Sequence, residues 1–390
     1  MSLGADPVAL GPDPVALGPD PVTARADPVA LGSDPELNRA YLQKLLDSAP
    51  GGVLTLPAGR YPLAHGLTVP TGWTVRGAPS VPAPPSGSSG SGPAPPSGSS
   101  GSGPAPPSGG PATWLTVAVP DDRPVLHVLG GRVSVLDLGL RPAPSRPGEH
   151  DGDRGTGLTV GRYLYPGTPQ WLSGVDIRRV HVDHGDNRAA NAVALMGAVR
   201  DVTVQDVTVT GGHTGLAVHW GAIGASVDTI VGPSYHPNRL RVAGLRVRDA
   251  VEGFYLSAVH DVAVSGVCLR EVEMGFRLLA GDNTDRYHRD PQARICERID
   301  IRGVCVTWTG PRYGVRVAGW GRSEVDGLVS RLEYVDTTIR DTVLRRAPGG
   351  STAGSAQRGW SPLLVEHADS VGLHSIQVES APTDTCCPLA

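Results

Sequence analysis

Aromatic side chains and lysine are scarce in this sequence. Of its 390 residues only two are phenylalanine, aromatic residues make up 5%, and lysine occurs once, at Lys44. A large globular core usually packs around aromatic rings, whereas short stacked strands are built from the valine, leucine, alanine and glycine that dominate here. The composition therefore favours a β architecture.

Neither sign of charge dominates. The formal net charge is -4, the isoelectric point is near 6.3, and no stretch clusters basic residues. Binding to nucleic acid or to an anionic membrane leaves a basic footprint in a sequence. We therefore expect no nucleic acid and no membrane surface among the partners.

An export signal, a membrane span and a cysteine framework are also missing. Residues 1–10 lack a basic segment followed by an apolar one, and no run reaches the roughly 18 apolar residues of a membrane helix. The five cysteines are an odd number without CxxC spacing. These features predict a soluble, cytoplasmic protein with reduced thiols, and they leave its oligomeric state open.

Two low-complexity segments flank and interrupt the remaining sequence. Residues 1–34 repeat an Asp-Pro-Val unit every seven residues, and a proline in each unit excludes a continuous helix. Residues 82–110 iterate proline, alanine, serine and glycine and cannot bury a core. We predict a disordered tail over 1–34, a domain over 35–380 that contains a disordered loop at 82–110, and a C-terminal tail over 381–390.

An internal repeat underlies the fold prediction. Five segments superimpose without gaps, and they lie at residues 192–196, 215–219, 253–257, 275–279 and 314–318. Each is followed, after a variable insertion, by a pair of alternating strands, and the uninterrupted period is about 22 residues, the length of one coil of three strands. Strict alternation predicts that these apolar side chains face the core: Leu216, Val218, Phe254, Leu256, Phe276, Leu278, Val315 and Val317.

A short amphipathic helix is predicted before the first strands. Residues 35–49 space their apolar side chains at helical intervals, with Asp34 as the N-cap and Pro35 in the first turn. The predicted apolar face consists of Leu37, Tyr41, Leu45 and Leu46.

The segment after this helix resembles a known superfamily. Residues 51–61 read Gly-Gly-Val-Leu-Thr-Leu-Pro-Ala-Gly-Arg-Tyr, and this motif after a short helix resembles the opening of the pectate-lyase-like superfamily. The resemblance implies an all-β fold over residues 35–380: a right-handed parallel β-helix, a solenoid with a capping helix and long turn insertions. It implies polysaccharide lyases, polygalacturonase-type hydrolases, epimerases and phage tailspikes as relatives. The motif is structural and implies no particular chemistry.

Three long insertions mark the expected functional corner. They span residues 162–171, 221–238 and 281–296, and the repeat aligns them on one side of the solenoid, where loops of such folds carry function. Side chains that alternate with the core positions face outward beside them and stack from coil to coil: His219, Tyr255, Arg277 and Arg316. An arginine row suits a carboxylate-bearing ligand. The alternative is a solvated sheet face without a ligand.

Seven residues are candidates for catalysis: His219, Tyr255, Arg277, Glu252, Glu273, Asp282 and Asp285. Glu252 and Glu273 precede the outward strands and would supply the two carboxyls of glycosidic chemistry. Asp282 and Asp285 lie in the densest polar cluster, where Asp285 ends an Asn-Thr-Asp triplet, residues 283–285, that is similar to a polygalacturonase motif whose companion motifs are missing. Six residues are candidates for substrate binding, three of them tryptophans suited to stacking on sugar rings: Arg316, Trp220, Trp171, Trp320, His288 and Arg286.

No cofactor is predicted. A His-Val-Asp-His-Gly-Asp segment, residues 181–186, reads either as a metal site or as a hydrogen-bonded turn, and alternation favours the turn because His184 leaves the strand direction of His181 and Asp183. Calcium is the alternative cofactor, but no motif supplies its clustered oxygen ligands.

The leading functional hypothesis is an enzyme that acts on a sugar-like or anionic polyhydroxylated substrate by lyase, epimerase or hydrolase chemistry. For proton abstraction beside a carboxylate, Arg277 or Arg316 would neutralise the developing charge while His219 or Tyr255 moves the proton. One alternative is an intracellular isomerase or cyclase of a biosynthetic small molecule. The other is a non-catalytic, glycan-binding or tailspike-like structural solenoid.

Overall fold

The repeated apolar segments form parallel strands that stack in register. In the computed structural model Leu216 lies beside Phe254, and Phe254 lies beside Phe276. The residues that the structure describes are 22–27, 30–79, 110–120, 123–144, 155–185, 187–226, 229–280, 295–310, 313–319, 324–325, 328–329, 334–347, 361–366, 368 and 370–380. The stacking confirms the predicted parallel β-helix, in which each coil contributes one strand to each of three faces.

The three faces follow one another along the chain in every coil. The first face contains Gly52–Thr55, Trp73–Arg76, Ser134–Leu136, Leu172–Arg178, Val199–Gln205 and Asn238–Ala243. The second contains Gly59–Leu63, Thr113–Val117, Gly139–Arg141, His181–Asp183, Thr208–Thr210 and Arg246–Arg248. The later strands that run around the corner from the first to the second face are His260–Val272, Ile295–Trp308, Tyr334–Arg346 and Ser370–Ser380. The third face contains Leu67–Val69, Leu126–Val128, Leu158–Gly161, Val193–Met196, Thr214–His219, Glu252–Leu256, Met274–Ala280, Tyr313–Gly319 and Ser361–Glu366.

Alternation along the third face fills the interior. All eight side chains that were predicted to face inward are at most 1% exposed and belong to one continuous apolar core. The rings of Phe254 and Phe276 stack at 4.4 Å between centroids with an interplanar angle of 8°. Burial of such rings removes a large apolar area from water and stabilises adjacent coils against each other.

Glycine opens most of the repeated segments because the chain is tightly packed where it enters the third face. A Cβ at Gly253 would stand 2.4 Å from the backbone oxygen of Gly275 and 2.4 Å from a methyl carbon of Leu269. No other residue fits there without displacing backbone. The repeated glycine is therefore a packing requirement of the coil.

A column of opposite charges runs along the first face. Successive coils place Asp201, Arg239, Asp261 and Arg298 at one position, all with φ between 53° and 57°. Arg239 donates two hydrogen bonds to Asp201, at 2.6 and 2.7 Å, and Arg298 donates two to Asp261, at 2.5 and 3.1 Å. These pairs are exposed and individually weak, but alternating charge opposes a shift of one coil against the next.

The single helix among the described residues, Pro35–Asp47, covers the first coils. Asp34 caps it as predicted, because its side chain accepts from the backbone nitrogens of Glu36 and Leu37 at 2.9 and 3.1 Å. The predicted apolar face is partly wrong: Leu37 is 65% exposed, and the buried residues are Asn38, Leu42 and Leu46. Asn38 donates to the backbone oxygen of Pro62 at 2.9 Å, so a polar contact anchors this end. Among the described residues, no helix is long and apolar enough to cross a membrane.

The end of the predicted N-terminal tail is structured. Strand Val22–Arg25 pairs in parallel with Gly52–Thr55 and extends the first face by one strand. Its Asp-Pro-Val repeat predicted disorder up to residue 34, and this part of the prediction is wrong because the strand pairs with the otherwise open edge of the first coil. The loop predicted at 82–110 and the tail at 381–390 lie outside the described residues, except for position 110.

Candidate functional site

The first two long insertions meet at one corner of the solenoid. Strand Leu164–Tyr165 of the first insertion pairs in parallel with Gly221–Ile223 of the second, which pairs antiparallel with Val231–Tyr235. This small sheet lies where the chain passes from the third face to the first, and it confirms that these two insertions cluster. Most of the third insertion, residues 281–294, lies outside the described residues.

A groove of about 800 Å³ opens beside the first insertion. It is lined by residues 161–162 and 165–174, together with Thr71, Leu129 and residues 131–132. Trp171 is 38% exposed, which is unusual for the largest apolar side chain. Arg132 and Arg162 are exposed beside it, and no described residue forms an ion pair with either of them. The groove therefore combines an accessible aromatic ring with two cations that have no ion-pair partner among the described residues.

Neighbouring rings hold Trp171 in place. The ring centroid of Tyr235 lies 6.2 Å from that of Trp171 and 5.9 Å from that of Tyr165, both in edge-on geometry. The guanidinium of Arg200 lies 5.7 Å from the centroid of Trp171. Burial raises the pKa of Tyr165, so its hydroxyl stays protonated, and its oxygen accepts from the backbone nitrogen of Ala198 at 2.9 Å. The aromatic wall is thus fixed before any ligand arrives.

A strip of rings leads from the groove to His219. Tyr163, between two groove residues in sequence, lies 5.2 Å from His219 and 5.0 Å from Trp220 between ring centroids. His219 lies 6.2 Å from Tyr255. Its Nδ1 is 2.9 Å from the backbone oxygen of Trp220, so Nδ1 carries the proton and Nε2 is the proton-accepting nitrogen. The structure therefore brings His219 and Tyr255 together, as predicted.

Arg277 forms a buried ion pair within the chain. Its Nε donates to Oε1 of Glu252 at 2.5 Å and its Nη2 donates to Oε2 at 2.9 Å. The side chain of Glu252 is 0% exposed and that of Arg277 is 21% exposed. The guanidinium also lies 4.6 Å from the ring centroid of Tyr255, which is itself buried. The prediction that Arg277 clamps a substrate carboxylate is corrected, because Glu252 already occupies its guanidinium fork. The prediction that Glu252 is an accessible catalytic carboxyl is corrected as well, because its side chain is buried.

The second predicted carboxylate lies in a different environment. Glu273 pairs with Arg188 at 2.7 Å, and their side chains are 46% and 45% exposed. Near the buried pair, His213 Nδ1 lies 2.9 Å from the hydroxyl of Thr214, which points toward Glu252. Burial lowers the pKa of His213, so this imidazole is neutral near pH 7. The two glutamates therefore do not form a matched pair of accessible carboxyls.

Two predicted binding residues are engaged within the protein. Arg316 stacks in register with Arg277, as predicted. However, its Nη2 lies 3.2 Å from Oε2 of Glu366, and its Nη1 donates to the hydroxyl of Tyr313 at 3.3 Å. Trp220 is 0% exposed and packs in a small core, so its predicted stacking on a sugar ring is wrong. Trp171 is the tryptophan that the described structure leaves accessible at this corner.

The remaining candidates stay predictions. They lie outside the described residues and are Asp282, Asp285, Arg286, His288 and Trp320.

The segment around His184 is a hydrogen-bonded turn. Asp183 accepts from the backbone nitrogen of Gly185 at 3.0 Å and lies 3.7 Å from Arg141. Burial lowers the pKa of His184 to about 4, so the ring is neutral and sequestered. Within the described residues no three metal-binding side chains come together.

Sequence reasoning missed Arg132 and Tyr235 at the groove. Arg132 belongs to the preceding coil, and only the stacking of coils brings its backbone nitrogen to 2.7 Å from the oxygen of Ser173. Tyr235 lies within the second insertion, whose antiparallel pairing has no repeat signature. Arg162, the first residue of the first insertion, was the available signal for this groove.

Comparison with known proteins shows similarity to solved structures but to no known sequence family. No protein-family model and no curated protein matches the sequence. Among solved structures, the tailspike protein of E. coli bacteriophage HK620 in complex with a pentasaccharide is 12% identical with a TM-score of 0.50, over 92% of this chain and 63% of that chain. The enzymatically active domain of tailspike protein 2 of bacteriophage CBA120 is 9% identical with a TM-score of 0.47, over 92% and 47%.

A polygalacturonase from Erwinia carotovora ssp. carotovora is 10% identical with a TM-score of 0.41, over 92% of this chain and 96% of that chain. This chain spans about half to two thirds of the length of the two tailspikes. At such low identity the likeness shows the fold alone. Together with the register of its strands, the likeness to the HK620 tailspike identifies this chain as a parallel β-helix protein.

Proposed function

We propose that this protein binds an acidic glycan in the groove beside the first insertion and acts on carbohydrate at this corner. The observation that carries the proposal is Trp171, 38% exposed in a groove of about 800 Å³ between the exposed arginines Arg132 and Arg162. A sugar ring presents an apolar face that stacks on indole, while its carboxylate or sulfate groups pair with guanidinium. In this groove Trp171 would bind the apolar face of the sugar, and Arg132 and Arg162 would bind its acid groups.

The charge of the groove favours an acidic over a neutral glycan. Some exposed arginines that the structure describes on the first face, such as Arg239 and Arg298, have an aspartate partner. Arg132 and Arg162 have none among the described residues, so a ligand that brings anionic groups gains attraction without first breaking an ion pair. A groove of this size matches sites that enclose a small ligand or a few sugar units.

The similar tailspike supports a carbohydrate ligand. That protein was solved with a pentasaccharide. The likeness supports a sugar as ligand class, and the groove of this chain supplies the preference for acid groups.

His219 is the proton-transfer group of the proposed reaction. Its Nδ1 donates to a backbone oxygen, which leaves Nε2 as the accepting nitrogen, and Tyr163 links it to the groove. Lyase or epimerase chemistry begins with removal of a proton beside a carboxylate and suits one imidazole base. Hydrolysis by Glu252 and Glu273 is disfavoured, because Glu252 is buried in an ion pair.

Calorimetric titration with matched acidic and neutral oligosaccharides tests the proposal. We expect the acidic series to bind more tightly, with affinity that falls as salt is added. Trp171→Ala should weaken binding by about 10-fold to 100-fold, the loss expected for one stacked ring of about 1–3 kcal/mol. His219→Gln should retain binding and lose turnover of the bound oligosaccharide, scored by mass spectrometry of the products.

Arg302→Ala is the matched control for Arg162→Ala, because Arg302 is an exposed arginine in a distant coil. Only Arg162→Ala should reduce the affinity and its salt dependence. Equal binding of both oligosaccharide series, or unchanged affinity in Trp171→Ala, would place the ligand elsewhere on the solenoid.

A further inference from the structure

A row of four polar side chains lies next to Tyr235 and takes no part in the proposed glycan binding. The hydroxyl of Ser234 is 2.6 Å from Nε2 of His236, and Nδ1 of His236 is 2.7 Å from Nε2 of His260. Nδ1 of His260 lies 3.4 Å from Oε1 of Glu297, long for a hydrogen bond but within ion-pair distance. Four side chains from three separate segments therefore form one continuous line.

The order of atoms is compatible with His236 acting as a base toward Ser234. Nδ1 of His260 faces the carboxylate of Glu297, and with a proton on that nitrogen Nε2 of His260 accepts from Nδ1–H of His236. Nε2 of His236 is then free of a proton and accepts from the hydroxyl of Ser234. With these tautomers the side chains are arranged as a nucleophile, a base and an orienting group.

The scaffold holds the two imidazoles rigidly. His236 is 6% exposed and stacks on His260 with centroids 5.0 Å apart and planes at 16°. His260 and Glu297 are register partners in adjacent coils, and Asn238 donates to the backbone oxygen of His236 at 3.0 Å. Rigid placement of this kind is what a catalytic base requires.

The surroundings of His260 favour its neutral form. Burial lowers the pKa of His260, so this imidazole is neutral near pH 7. Glu297 also pairs with Arg298 at the end of the line. Ser234 at the other end is only partly buried, so its hydroxyl lies at the boundary with solvent.

We propose that Ser234 is the nucleophile of a serine esterase site that hydrolyses short O-acyl esters. The Ser234 oxygen bonds to the acyl carbon while its proton passes to Nε2 of His236, and the same proton then goes to the alkoxide that leaves as the C–O bond breaks. Water next bonds to the acyl carbon and gives a proton to Nε2, which returns it to the Ser234 oxygen as the carboxylic acid departs. His236 is the general base, and His260 and Glu297 are positioning residues.

This proposal stands independently of glycan binding, although the two sites are neighbours. Tyr235, adjacent to Ser234, packs against Trp171 and Tyr165 of the groove wall. Alternation along the strand Val231–Tyr235 turns the side chain of Ser234 away from that of Tyr235. The esterase site thus lies behind the aromatic wall of the groove, and its activity is measurable without a glycan.

Labelling of the full-length protein with a fluorophosphonate, followed by peptide mass mapping, tests the proposal. We expect the adduct on Ser234 and release of p-nitrophenol from p-nitrophenyl acetate, with both rates rising with pH as the imidazole base loses its proton. Ser234→Ala should abolish the adduct and His236→Gln should slow its formation by about 100-fold or more. Glu297→Gln should slow labelling and shift the midpoint of the pH profile to lower pH, because loss of the carboxylate lowers the pKa of the imidazole pair.

Ser226→Ala is the matched control, because Ser226 is an exposed serine in the same hairpin. It should label at the wild-type rate, and thermal unfolding should show that Ser234→Ala remains folded. An adduct on another serine, an unlabelled wild-type protein, or a pH midpoint unmoved in Glu297→Gln would overturn the proposal.

Discussion

Arg277 illustrates how a charged side chain on a buried strand is stabilised. It projects from the outer side of the third face, where Tyr255 and its neighbours leave little water, and such a cation is costly unless an anion lies within reach. Glu252 supplies that anion with both carboxylate oxygens. The pair is therefore a structural element of the corner that carries the candidate site.

Removal of one partner should reveal the structural role of this pair. Arg277→Ala leaves the carboxylate of Glu252 buried without a cation, and we expect a loss of about 3–5 kcal/mol in the free energy of unfolding. The double variant Arg277→Met with Glu252→Gln should recover much of that loss, because neither charge then remains buried. Urea unfolding of the three proteins measures both effects.

The exposed pair of Arg188 and Glu273 is the control for this measurement. Arg188→Ala should cost no more than about 1 kcal/mol, because water screens that pair. If Arg277→Ala kept wild-type stability and instead lost oligosaccharide binding, Arg277 would have to be returned to the role of a substrate clamp.

At the residue scale the sequence predicts the position of a side chain on the solenoid better than it predicts that side chain's ion-pair partner. Alternation from Phe276 and Leu278 correctly placed Arg277 opposite the core and in register with Arg316. It did not predict that Glu252, named as a catalytic carboxyl, pairs with Arg277, because Glu252 lies one coil earlier at the entry to its strand, where Gly253 interrupts the alternation. Charge neutralisation across coils depends on side-chain direction at such turns, which a linear pattern does not contain.

Stacked elements on the third face gain stability from identical neighbours. Phe254 and Phe276 occupy equivalent positions in adjacent coils, and their nearly parallel rings bury each other completely. Truncation of either ring opens a cavity between the coils that the rigid backbone of a solenoid is unable to close. The cost should therefore exceed that of lost apolar transfer alone.

We expect Phe254→Ala and Phe276→Ala each to lower the free energy of unfolding by about 3–5 kcal/mol. The double variant should cost less than the sum, because the second truncation enlarges a cavity that already exists and no longer breaks a ring pair. Equilibrium denaturation of the two single variants and the double variant gives the coupling energy.

Exposed Leu37 provides a matched control, since Leu37→Ala removes a large side chain that is 65% exposed and should leave stability within about 0.5 kcal/mol. Strict additivity of the two phenylalanine variants would contradict the coupling inferred from the stacked rings. The strands could be predicted from the sequence because their period-2 alternation repeats in many coils. The buried face of the helix could not, because the helical pattern occurs once and Asn38 takes the place of an apolar anchor.

The whole molecule is a stack in which each coil rests on the one before it. Such architectures tolerate insertions at corners, because contacts within the stack are local and the inserted chain leaves the strand register intact. The sequence predicted this arrangement from its restarting repeat. It could not predict the small sheet that joins the first two insertions, because Leu164–Tyr165, Gly221–Ile223 and Val231–Tyr235 belong to no repeat.

Deletion of residues 82–110 tests the tolerance of the stack. On either side of this segment the described chain is already joined, because the backbone nitrogen of Ala78 donates to the hydroxyl of Thr113 at 2.9 Å. Trp73–Arg76 and Thr113–Val117 pair with neighbouring coils on the first and second faces. The two ends therefore need only a short connection, and the deletion should leave every described strand pairing in place.

We expect the deletion variant to unfold at the same temperature as the full chain or at a slightly higher one. A loop shortened from about 35 to about 6 residues costs less entropy to close, which adds up to about 1.5 kcal/mol of stability. A variant with the segment duplicated is the control and should lose only about 0.6 kcal/mol. Circular dichroism during thermal unfolding compares the three proteins. A large fall in the unfolding temperature on deletion would mean that residues 82–110 pack against the coils, and the view of this segment as an insertion outside the stack would then be wrong.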